Sequence, residues 1–191
     1  MSFFSINDFI ASGKKSLEDE NYWSALSVAL MLPSMCSRLA YENIPEYQTP
    51  NGRPRDMKCY IDWCNENLKD GWSNKFLGEK YAEILYQLRC DIVHAGCANI
   101  YADGKAVYLS LNKGRTSTTF TKYRIIDVSI LCEDIFDHTD TWCINFGAAG
   151  FKYTHVFDER NHDDILLYNK LCDEERANFL KEQFDEESPE K

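Results

Sequence analysis

Two side chains suited to phosphate chemistry stand five positions apart in one apolar-patterned segment, Arg89 and His94 in Tyr81-Ala82-Glu83-Ile84-Leu85-Tyr86-Gln87-Leu88-Arg89-Cys90-Asp91-Ile92-Val93-His94-Ala95-Gly96. The planar guanidinium of arginine donates paired hydrogen bonds to phosphate oxygens and keeps its charge. Histidine has an unperturbed pKa that suits proton transfer near neutrality. In the last turn of a helix, the negative dipole end would favour its protonated form. The two together can hold a phosphate and move a proton at an oxygen beside it. Asp91, with Cys90 next to Arg89, is expected to orient the pair rather than to react. The plain alternative is structural, with Arg89 bonding Asp91 or a loop carbonyl and His94 capping the carbonyls of the helix end. Cys90, His94 and Cys97 have ligand-like spacing, but no second pair stands near to complete the four ligands of a zinc site. Neither a metal nor a cofactor is expected.

A helix over about 79–95, closed by Gly96 as a left-handed cap, must carry this pair. Its core stripe is Tyr81, Ile84, Leu85, Leu88, Ile92 and Ala95, within roughly 60° of one line. Arg89 lies on the edge of that stripe, and His94 lies roughly 140° further round. Tyr86, Cys90, Val93 and Cys97 make a second apolar face, which another helix of the chain or a second copy must cover. Elsewhere Ile6, Phe9, Ile10, Gly13 and Leu17 predict a helix after the N-cap Ser5. Asn21 caps a second, centrally placed helix that Pro33 should kink. Residues 41–56, rich in proline, read as an ordered loop, and a short helix follows at about 57–69. Val107, Leu109 and Leu111, the turn-like Asn112-Lys113-Gly114-Arg115 and a threonine-rich return predict a β-hairpin near 105–123. The last core helix is expected over about 125–145, with a further helix near 163–184.

Arg89, four intervening residues and His94, on the penultimate helix of a small bundle, resemble the Arg-x4–6-His signature of the HEPN superfamily. Ala29-Leu30-Met31-Leu32-Pro33 and Tyr60-Ile61-x-Trp63 also look like uncharacterised bacterial members, and the resemblance covers about residues 20–146. It implies a mainly α fold, a HEPN-like bundle of four to five helices with the β-hairpin inserted before the last core helix. It implies a metal-independent endoribonuclease with Arg89 and His94 as the catalytic pair and with Asp91 and Cys90 supporting them. The pair would act at a composite site in a homodimer, in phage defence or a toxin system with an antitoxin or defence partner. RNA self-cleavage needs a base for the 2′-hydroxyl proton, a cation for the crowded phosphate and an acid for the leaving oxygen, which suits this pair. Two departures stand out: Cys90 follows the arginine where a polar residue is frequent, and Gly96 stands where antitoxin-modified members carry tyrosine. The rival reading is a non-catalytic RNA- or protein-binding scaffold that keeps the bundle.

Arg53, Arg55 and Lys58 in the loop, with Lys105, Lys113, Arg115, Lys122 and Arg124 around the hairpin, are candidates for an RNA-guiding rim, or else ordinary solvated charges. The net charge of −10 does not exclude such a rim. Residues 157–191 hold twelve Asp/Glu against five Lys/Arg, leaving 1–156 with nineteen against sixteen. The expected division is therefore a helical domain over 1–156 and an acidic tail over 157–191. Local potential, not the total, binds phosphates. The sequence shows no membrane span and no apolar leader, so a cytoplasmic protein is expected, with its eight cysteines reduced and mostly in the core.

Overall fold

The structure is a computed structural model that describes residues 2–92, 100–102, 104–111, 117–147 and 152–156, and positions 166, 170, 173 and 174. Two compact units divide the chain, Ile6–Phe151 and a second that joins Met1–Ser5 to Lys152–Lys191. In the second, β1 (Ser2–Ser5) and β6 (Lys152–Val156) form an antiparallel ladder. This grouping differs from the expected boundary after residue 156, because the N-terminal segment pairs with residues about 150 positions away.

The larger unit is mainly helical. It contains α1 (Ile6–Glu18), α2 (Tyr22–Tyr41), a 3-10 turn at Pro45–Tyr47, α3 (Asp56–Asn67), α4 (Trp72–Leu77), α5 (Tyr81–Cys90) and α6 (Val128–Phe146). α2 packs against α1, α3, α5 and α6, which suits a helix apolar on most sides. The Asn21 side chain accepts from Ser24 N and starts it, and the helix continues through Pro33 to Tyr41. Trp63, Tyr60 and Phe136 are the largest fully buried side chains. Tyr60 and Tyr81 satisfy their hydroxyls on the Leu30 and Cys64 carbonyls, at 3.2 and 2.7 Å. Gly13 lets α1 approach Phe136 closely, since a Cβ there would stand 2.7 Å from Phe136 Cε1 and 3.0 Å from Val28 Cγ1. Cys36, Cys59, Cys64, Cys132 and Cys143 are free and buried, and Cys90 is free and partly exposed.

The expected hairpin over 105–123 is corrected by the strand order. β2 (Ile100–Ala102), β3 (Lys105–Ser110), β4 (Thr118–Thr119) and β5 (Tyr123–Asp127) form one sheet in the order β2-β3-β5-β4. β3 does not fold back onto the threonine-rich strand. It pairs antiparallel with β2 and parallel with β5, while β4 pairs antiparallel with β5. The parallel ladder pairs Val107 with Arg124 and Leu109 with Ile126, so Val107, at 4% exposure, and Ile126, at 0%, lie diagonally on one buried face. α6 therefore starts three residues later than expected, where the Asp127 carboxylate accepts from Ser129 N and Ile130 N. It ends at Gly147 with φ +73, a left-handed cap.

α4 occupies a segment that reads as a linker. Its N-terminus is capped from α6: Asp134 accepts from Trp72 N and Ser73 N, both at 2.8 Å, and from Ser73 Oγ at 2.5 Å. Gly71 leaves room for this, because a Cβ there would stand 2.7 Å from Asp134 Oδ1. Most of the helix expected near 163–184 lies outside the described residues. No helix among the described residues is long and apolar enough to cross a membrane.

Candidate functional site

α5 positions Arg89 as the core stripe requires. Tyr81, Ile84, Leu85 and Leu88 are buried, and Arg89 sits at their edge with 16% of its side chain exposed. α5 keeps regular winding to Cys90 and passes into a π turn at Asp91–Ile92. The Asp91 N–H there reaches both the Gln87 and Leu88 carbonyls. His94 lies outside the described residues.

The carboxylate that holds Arg89 is Asp56 at the first turn of α3, not Asp91 of its own helix. Arg89 Nη1 donates to Asp56 Oδ2 at 3.1 Å. The second carboxylate oxygen of Asp56 faces Arg38 Nη2 of α2 at 3.8 Å. Two guanidiniums thus share one carboxylate at a corner where α2, α3 and α5 meet. Arg89 Nη1 also reaches Cys90 Sγ at 4.0 Å, and the guanidinium lies 5.7 Å from the Tyr86 ring centre. Its Nε is buried without a hydrogen-bond partner among the described residues. Burial, then the neighbouring Cys90 and Asp56, push the Tyr86 phenol up. Tyr86 meets Tyr60 of α3 edge-on at 5.3 Å, so α3 covers part of the second apolar face of α5. Tyr86, Cys90 and Asp91 stay partly exposed.

The loop cations adjoin this corner. Arg55, Asp56, Met57, Lys58, Ile61 and Asp62 line a shallow groove of about 510 Å³. Arg55 spends its Nε on the Gln48 carbonyl at 2.9 Å. Lys58 bonds Asp62 at 2.6 Å, lies 3.6 Å from Glu46 and sits 4.3 Å above the Tyr47 ring. The Asp62 hydrogen bond raises its pKa. Arg53 is exposed in the loop, where its backbone N–H donates to Thr49 Oγ1 at 3.1 Å. Along the groove Lys58 pairs with Asp62, while Asp56 faces Arg89 and Arg38. A phosphate arriving here would compete with Asp56 for two guanidiniums that are already oriented, rather than enter an open cationic pocket. Lys113 and Arg115 lie outside the described residues.

Asp56 and Arg38 are the contributors that sequence reasoning missed. They stand 33 and 51 positions before Arg89, and no local pattern links them to it. Among the described residues, no group of three or more His, Cys, Asp or Glu side chains is arranged to hold a metal ion. No family model matches the chain, and no match was found among curated proteins or solved structures.

Proposed function

We propose that this chain is a HEPN-like, metal-independent endoribonuclease. It works as a homodimer in bacterial phage defence or a toxin system, with Arg89 holding the scissile phosphate and His94 moving the proton. The observation that carries the reading is the placement of Arg89 in the final regular turn of a core helix, directly before the winding changes at Asp91–Ile92. Asp56 supports the reading by fixing the guanidinium plane, and Arg38 adds a second cation at the same corner. Tyr86 and Cys90 keep part of the outer face of α5 exposed, and the dimer contact is proposed there.

The experiment is incubation of the purified protein with a mixed RNA pool in EDTA, alongside Arg89→Ala and His94→Ala. Cleavage by the wild type that both substitutions abolish supports the enzyme. A second reading has its own observation: Arg89 is paired with Asp56 and mostly buried, as a structural arginine is. On that reading the chain is a binding or scaffold module, and the RNA pool stays intact with every variant.

A further inference from the structure

Asp56 meets its two arginines through different oxygens. Oδ2 accepts from Arg89 Nη1 at 3.1 Å, and Oδ1 faces Arg38 Nη2 at 3.8 Å. Guanidiniums from α5 and α2 therefore converge on two oxygens carried by one centre. The two non-bridging oxygens of a phosphodiester present the same pattern, and the arginine fork suits carboxylate and phosphate alike. The longer contact exceeds hydrogen-bond length, so Arg38 meets Asp56 only as an ion pair. A phosphate seated between the two arginines would add hydrogen bonds from Arg38 that the carboxylate does not make.

Exposure and charge favour the exchange. The Arg38 side chain is 53% exposed and that of Asp56 34%, against 16% for Arg89. Water can take up a displaced Asp56 carboxylate, while Arg89 stays where packing holds it. The acidic groups along the groove already have a cation: Lys58 bonds Asp62 at 2.6 Å and lies 3.6 Å from Glu46. Arg55 precedes Asp56 and lines the same groove, with its Nε on the Gln48 carbonyl, and adds a third guanidinium. Local potential of this kind, not the net charge of the chain, attracts a phosphate.

We propose that Arg38 is a second ligand of the phosphate that Arg89 holds, and that Asp56 is its built-in competitor. In the free protein the Asp56 carboxylate occupies the place between the two guanidiniums and keeps them oriented; a bound phosphate takes that place. That the phosphate belongs to RNA rests on the nuclease reading. The site itself needs only the two arginines, so it can bind phosphate in a chain that does not cleave.

The test is thermal melting of the full chain in EDTA, in sodium phosphate against sodium chloride at matched ionic strength. Phosphate should raise the wild-type Tm progressively with concentration. Arg38→Ala should weaken the affinity read from that rise roughly tenfold to 100-fold. Arg38→Lys keeps the charge without the fork and should fall between. Asp56→Asn keeps an acceptor for Arg89 but loses the competing charge, so it should bind phosphate roughly fivefold tighter even though it melts lower in chloride. Lys15→Ala removes an equal charge from α1 and should respond as the wild type does. A second arm, fluorescence anisotropy with a labelled 2′-O-methyl RNA, separates the polymer from the free ion: RNA should follow the same order of variants and be displaced by inorganic phosphate. A rise absent from both the wild type and Asp56→Asn, or one that Arg38→Ala keeps in full, overturns the proposal. So does weaker phosphate binding by a folded Asp56→Asn; if that variant unfolds, the two Arg38 variants decide. RNA cut at the wild-type rate by Arg38→Ala also overturns it and leaves the nuclease reading standing. An intact RNA pool with the predicted phosphate response defeats the nuclease reading and leaves this site in place.

Discussion

Removing either partner of the Arg89–Asp56 pair should have unequal consequences, because the two are not left in equal straits. In Arg89→Ala, Asp56 keeps Arg38 at 3.8 Å and remains one-third exposed to water. In Asp56→Ala, a guanidinium with 16% of its side chain exposed loses its carboxylate, and its Nε is already without a partner among the described residues. A hydrogen bond to a charged group contributes about 1.5–3 kcal/mol, whereas exposed ion pairs contribute at most about 1 kcal/mol. This pair stands between those limits. We predict a loss of about 1–2 kcal/mol for Arg89→Ala and of about 2–3 kcal/mol for Asp56→Ala. Their coupling should be about 1 kcal/mol, since the double variant leaves nothing stranded. Urea unfolding of the four proteins measures each quantity. A coupling indistinguishable from zero, or an Arg89→Ala loss larger than that of Asp56→Ala, would refute the reasoning. The size also matters for function: a loss of that order lowers Tm by only about 2–8 °C. Arg89→Ala should therefore remain folded at assay temperature, and its loss of activity can be read as chemistry.

Asp134→Ala should destabilise by about 2–4 kcal/mol, because it uncaps α4 and strands two backbone donors and a buried hydroxyl; thermal melting reads this, and a change below about 1 kcal/mol counts against the cap. Thr139 is fully buried with its Oγ1 unpartnered among the described residues. Thr139→Val should accordingly be neutral or stabilising by up to about 1 kcal/mol, and clear destabilisation in urea would show that the hydroxyl has a partner. Limited thiol labelling of the native protein should modify Cys90 and spare Cys36, Cys59, Cys64, Cys132 and Cys143. Burial pushes the Cys36 and Cys64 thiols up and hides them. Peptide mass mapping checks this, and fast labelling of a core cysteine would contradict the packing.

The helices were legible wherever burial is periodic and local. Apolar spacing identified α2, α3 and α6 and the start of α5 to within a few residues, the expected end of α5 near residue 95 lying outside the described residues, and Asn21 marked the start of α2. The failures all involve partners far away in the chain. Alternation in Val107-x-Leu109 revealed a strand, but nothing local says that its neighbour is β5 in parallel rather than the next strand back. Ile125, Ile126 and Val128 fit either period, so residues 125–127 joined the helix; the Asp127 cap was the signal that separates them. α4 is too short to show a period, and its cap comes from Asp134, 62 positions on from Trp72. The site follows the same rule. Arg89 was identifiable as a phosphate-competent side chain on a helix edge, whereas its partner Asp56 and the second guanidinium, Arg38, reach it only through the packing of α2 and α3 against α5.

A nuclease that relies on arginine and histidine without paired metals must take its nucleophile from the substrate's own 2′-hydroxyl. End-group analysis of the cleaved RNA, made in EDTA with matched DNA and 2′-O-methyl substrates, tests this directly. The expected result is 2′,3′-cyclic phosphate and 5′-hydroxyl ends from RNA alone, with both modified substrates intact. Efficient cutting of DNA, or activity lost in chelator and restored by Mg²⁺, would contradict it and return Arg89 to the structural role that its Asp56 contact already describes.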